Sequence, residues 1–76
     1  MYQEEKEFII RAYDKAELAE LYNPGRSAAA ALQTLYRWMQ RNIPLMEELK
    51  AAGYNKFRHS FLRHEVAIIV KHLGEP

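Results

Sequence analysis

The chain has 76 residues, of which 49% are apolar and 28% charged, and its formal net charge is +1. Folding at this length buries only about 60% of the surface of the unfolded chain, so a single domain over residues 1–76 with one modest core is expected, and the apolar fraction excludes a disordered chain. Cysteine is absent, which removes disulfides and thiolate zinc sites and fits a reducing cytoplasm.

Residues 1–7, MYQEEKE, are polar and acidic and read as a flexible N-terminus. Only Phe8-Ile9-Ile10 precede Arg11, too few for a signal peptide's apolar stretch or for the roughly 20 apolar residues of a membrane span. The expectation is a protein neither exported nor membrane-embedded. Phe8 to Tyr13, a β-branched and aromatic run, predicts a short extended segment. Asp14 then reads as an N-cap, with Glu17 three residues on completing a capping box, and strong helix formers predict a helix over 15–22. Asn23-Pro24-Gly25 ends it, with Asn23 in the left-handed position.

Ser27 is the next N-cap, and a helix over 28–41 follows, its buried stripe formed by Ala28, Ala31, Leu32, Leu35 and Met39 at helical spacing. Pro44 suits the first position of a third helix over 44–52, which buries Leu45 and Leu49 and closes at Gly53. Tyr54 to Ser60 has no period and carries Lys56, Arg58 and His59, predicting a basic loop or short hairpin anchored by Tyr54. Val66, Ile69, Val70 and Leu73 mark a last helix with Gly74 as its C-cap. Its start lies at Ser60 or Leu62. Leu62 is preferred, because it places Phe61 and Val66 as a hydrophobic staple and Glu65 at the third position. The fold class is mainly all-α, with about four helices.

Charge is unevenly spread. Residues 1–22 carry six acids against three bases, whereas residues 23–64 carry seven bases against Glu47 and Glu48, a weak pointer to a polyanionic partner. Wrapping the second helix at 100° per residue puts Arg26, Ala30, Gln33, Thr34, Arg37 and Arg41 opposite the stripe. This face has groups able to reach phosphates and base edges and no acid; it also reads as the ordinary solvated side of an amphipathic helix. Tyr36 and Trp38 flank the stripe and suit the edges of a small core. His59, His64 and His72 have no metal-ligand spacing, and no nucleophile, base and orienter stand together. No metal, cofactor, small-molecule substrate or enzymatic activity is expected.

The run Ala12-Tyr13-Asp14-Lys15-Ala16-Glu17-Leu18-Ala19 with Leu21-Tyr22, then Leu35 and Trp38, Leu45 and Leu49, Gly53-Tyr54, Phe61, Val66 and the ending His72-Leu73-Gly74-Glu75-Pro76, resembles a family of short bacterial proteins known as a domain of unknown function. A more distant resemblance is to MerR and excisionase-type winged helix-turn-helix proteins. It rests on Glu17-Leu18-Ala19 in the first helix, Ser27 opening the second, and Phe61 before the last. The sequence departs from that pattern in a longer turn between Ala19 and Leu32 and in Leu62 where a polar cap is usual. The resemblance implies a small regulator binding double-stranded DNA, with Arg26, Gln33, Thr34, Arg37 and Arg41 reading and Lys56 and Arg58 on a wing. The alternative is a helical protein-interaction module or homodimer, with Tyr36, Trp38 and Ile68 as its contact patch.

Overall fold

The fold is taken from a computed structural model, which describes residues 7–76. The expectation of a flexible N-terminus falls mostly on residues 1–6, outside the described residues. Among the described residues, four helices surround one core and a single two-residue strand pair ties the start of the domain to its end. In chain order these are β1 (Tyr13–Asp14), α1 (Lys15–Tyr22), α2 (Ala28–Arg41), α3 (Ile43–Ala51), β2 (Ser60–Phe61) and α4 (Arg63–Leu73). None of the described helices is long and apolar enough to cross a membrane.

Extended backbone in the 8–13 run is paired only at its end. Tyr13 lies opposite Phe61 and Asp14 opposite Ser60 in antiparallel register, and the Lys15 amide adds a further bond to His59 O at 2.9 Å. The preceding residues are irregular but fastened: the Tyr13 hydroxyl donates to Ile9 O at 2.6 Å, and Phe8 stacks on the Tyr13 ring. Asp14 has the extended backbone of an N-cap, yet its side chain caps nothing. Glu17 does not return to it either; its carboxylate meets Arg11 at 3.1 Å instead, so the expected capping box is not formed.

Two terminations differ from the sequence reading in detail. After α1 the left-handed residue is Gly25, at φ +84°, whereas Asn23 sits at φ −134°, so the turn places its strained position where no Cβ stands. At α3 the N-cap is Asn42, whose Oδ1 accepts from the Leu45 amide at 3.1 Å, and Ile43 is the first helical residue. Pro44 is therefore second, still inside the first turn where its missing N–H is not needed. The end of α3 is a full Schellman motif: Tyr54 N–H donates to Leu49 O and Gly53 N–H to Lys50 O, with Gly53 at φ +85°. Ser27 accepts from the Ala30 amide at the start of α2, as expected.

The core combines Leu18 and Ala19 of α1, Ala31, Leu35 and Met39 of α2, Leu45 and Leu49 of α3, Phe61 of β2, and Val66 and Ile69 of α4. Ala28 is the exception in the predicted stripe. It is exposed, because a first-turn side chain leans toward its helix's N-terminus and projects past the packed region. On the outer side of the fold, Glu48 of α3 accepts from Lys71 and meets His72 of α4 at 2.9 Å. The Tyr22 hydroxyl donates to Gly74 O, joining the end of α1 to the end of α4.

Leu35 and Leu49 are both fully buried. Leu35→Ala or Leu49→Ala should therefore lower stability by about 2–5 kcal/mol, read as a fall in the urea midpoint. Variants that unfold with the parent's midpoint would show that neither leucine fills the core.

Candidate functional site

Helix α2 builds the most distinctive surface from simple ingredients. Its inward stripe meets α1 across the Asn23–Ser27 turn, and its sequence AAAALQTLYRWMQR contains no acid. Gln33, Arg37 and Arg41 consequently point to solvent, and neither Arg37 nor Arg41 forms an ion pair among the described residues. Arg26 precedes the helix and folds back on it, donating from Nη1 to Thr34 Oγ1 at 2.9 Å. That contact occupies Thr34, which is half-buried and so is less available to a partner than the helical wheel implies. Ala30 is half-buried as well.

The residues expected on a wing have different surroundings. Residues 54–59 do not form a hairpin. They carry the chain to β2, which pairs with β1 rather than with a neighbouring strand of the same loop. Lys56 is exposed, with its ammonium 5.2 Å from the Phe57 ring centroid. His59 is exposed, and its carbonyl holds the Lys15 amide. Arg58 turns inward: its Nη1 contacts Glu65 Oε1 at 2.8 Å and Ser60 O at 3.4 Å. Arg58, expected on a wing, has its guanidinium paired with a carboxylate within the fold and 27% of its side chain exposed.

Glu65 is fully buried. Besides Arg58, its Oε1 accepts from the Leu62 amide at 2.7 Å. This is the carboxylate half of a capping box; leucine has no acceptor with which to return the other half. Oε2 has no hydrogen-bond partner among the described residues. Lys15 is the second buried charge, 4% exposed. Its ammonium donates to Lys56 O at 3.1 Å and lies 4.8 Å from the Tyr54 ring centroid and 5.4 Å from that of Phe61. Aromatic faces and one carbonyl thus replace its water. Burial draws the Lys15 ammonium below its ordinary pKa, with Arg58 acting in the same direction and Glu65 against it.

Sequence reasoning placed Glu65 at the start of α4 but missed that both it and Lys15 are buried. The signal was present. Glu65 stands four residues before Ile69, and Lys15 three before Leu18 and four before Ala19, each on the apolar face of its helix. Among the described residues no three histidines or acids gather in a way that could hold a metal ion. The suggested contact patch is not continuous exposed surface. Tyr36 and Ile68 pack against the core, and Trp38 meets the Tyr22 ring edge-to-face at 6.3 Å.

A family described as a domain of unknown function, DUF4248, matches residues 9–76. The chain belongs to this family. Comparisons with curated proteins and with solved structures each give no match. Membership brings no activity with it.

The buried cluster makes alkaline stability testable. Burial pushes the phenols of Tyr54 and Tyr22 up to about 12 from 10.0. Between those values the folded protein keeps protons that the unfolded chain releases, so stability falls with rising pH. Lys15 acts oppositely: below 10.5 the unfolded chain holds its proton more tightly, so stability rises as pH approaches that value. Urea midpoints followed through this range should climb and then drop. Lys15→Met should abolish the climb, and Tyr54→Phe should make the drop shallower; a profile unchanged by both would contradict the assignment.

Proposed function

We propose that the domain binds double-stranded DNA through the solvent face of α2. The observation that carries this reading is an acid-free helical face on which Arg37 and Arg41 stand one turn apart, exposed and without an ion pair among the described residues. Exposed arginines on a helix that approaches a duplex can neutralise phosphates or form paired hydrogen bonds to guanine edges. Gln33, on the same face, suits an adenine edge. Arg26, held by Thr34, adds a positive group beside the start of the helix. The helix-turn-helix resemblance of the sequence supports the same orientation, with α1 behind α2 and the recognition surface outward.

The reading differs from the sequence expectation in leaving Arg58 aside and in giving Lys56 only a peripheral part. Without a wing hairpin, contacts rest on one helix, and a single helix reads few base pairs. A second copy or another protein beside it would then supply the rest of the site. The proposed role is binding without chemistry, in a small regulator. A duplex partner and a cysteine-free chain fit a bacterial cytoplasm.

Fluorescence anisotropy with duplex DNA at several salt concentrations tests this. Binding should weaken as salt rises. Arg37→Ala/Arg41→Ala should reduce the slope of log affinity against log salt by about 2 if both arginines meet phosphates. If they meet bases, the double variant should instead lose sequence preference, at about 1–3 kcal/mol for each good pair. Both side chains face solvent, so melting should be unaffected. A parent protein with no salt-sensitive duplex binding at low ionic strength would overturn the proposal.

A further inference from the structure

Among the described residues, two apolar surfaces of opposite electrostatic character are left uncovered. The first is a cleft of about 560 Å³ between the end of α2, α3 and residues 54–57. Ile43, Met46, Tyr54 and Phe57 form its apolar lining. Phe57 is 80% exposed and Ile43 66%, values far beyond what a small core needs to leave open. Lys50 and Lys56 outnumber Glu47 around this cleft.

The second surface lies on α1 and the segment before β1. Ile9 is 63% exposed and Leu21 44%, and together they line a smaller hollow of about 350 Å³. Helical spacing puts Glu17, Glu20 and Leu21 on one side of α1, and all three are exposed. Glu7 lies at the same hollow. Arg11 is the base there, and it is already engaged with Glu17. The position of this segment is fixed by the Tyr13 hydroxyl on Ile9 O and by Phe8 stacked on Tyr13.

We infer that the domain associates with a second copy of itself head to tail, the basic-rimmed cleft at Phe57 and Ile43 of one copy receiving the acidic surface at Leu21 and Ile9 of the other. Each surface offers apolar area, with bases in excess around the first and acids in excess around the second, so the two match each other better than either matches itself. The residues lining the two hollows do not overlap. The contact is therefore heterologous, and each copy keeps one surface free for the next. Arg37 and Arg41 of α2, and Arg26 before it, line neither hollow, although Arg41 stands beside Ile43 at the edge of the cleft; the association uses other residues than the duplex-binding proposal.

Sedimentation velocity on the full chain, from micromolar to millimolar concentration, tests the inference. The parent should grow in mass with concentration, less so at high salt because the rim charges are screened. Phe57→Asp should abolish the growth by spoiling the cleft, and Leu21→Lys should abolish it by spoiling the opposite surface. Ile43→Asp is a second cleft variant that favours folding, since an acid suits the first turn of a helix. Circular dichroism confirms that each variant is folded. The decisive sample is an equimolar mixture of Phe57→Asp and Leu21→Lys: each retains the half that the other has lost, so a one-to-one dimer should form and grow no further. A parent that stays monomeric throughout, variants that assemble like the parent, or a mixture that stays monomeric would overturn the inference. So would a monomeric parent whose cleft takes up an acidic amphipathic peptide, which would assign the surface to a different partner.

Discussion

The buried carboxylate of Glu65 is the constraint around which the second half of the domain is arranged. A charge removed from water is tolerated only where hydrogen bonds and an opposite charge replace the solvent. Glu65 obtains these from the Leu62 amide and the Arg58 guanidinium. The first fixes where α4 begins. The second draws residue 58 inward and, through Ser60 O, positions the strand that meets β1. Removing one partner of such a pair costs about 3–5 kcal/mol in a buried setting; with 27% of the Arg58 side chain exposed, the lower end applies. Oε2 lacks a hydrogen bond among the described residues, which offsets part of what the Oε1 contacts contribute.

Lys15 is the counterpart from the first half. Its amide extends the strand pairing, and its ammonium reaches Lys56 O under the rings of Tyr54 and Phe61. Tyr54 is held from two directions, by the Schellman motif that ends α3 and by its stacking on Phe61 at 6.1 Å. Helices α1, α3 and α4 thus meet the irregular 54–59 segment at one polar cluster. Lys56 and Phe57 project from that segment on its outer side. The loop's basic residues accordingly divide between Arg58, which pairs within the fold, and Lys56 and His59, whose side chains remain on the surface.

The helices were legible in local features of the chain. The extents of α1 and α2, the buried leucines of α3 and the Leu62 start of α4 follow from caps and apolar spacing, which depend on residues a few positions apart. The differences arise where distant residues compete. Glu17 suited a capping box but pairs with Arg11 instead. The pairing of Arg58 with Glu65 was not legible because Glu65 lies seven residues away across a loop and a helix start, a separation that no helical or strand period flags. The strand pairing escaped the reading for the same reason: Tyr13 and Phe61 belong to opposite ends of the chain. On α2, by contrast, the solvent face was legible because helical period alone determines it, apart from the Arg26–Thr34 contact.

If Glu65 organises the region rather than merely capping α4, its influence must extend to bonds that it does not touch. Native-state hydrogen exchange on Glu65→Leu, with the parent as reference, measures this. The amides of Leu62, bonded to Glu65 itself, and of Lys15, bonded to His59 O, should lose protection together, and by more than the Leu35 amide inside α2. Loosening confined to Leu62, with Lys15 as protected as in the parent, would contradict the account and reduce Glu65 to a local helix cap.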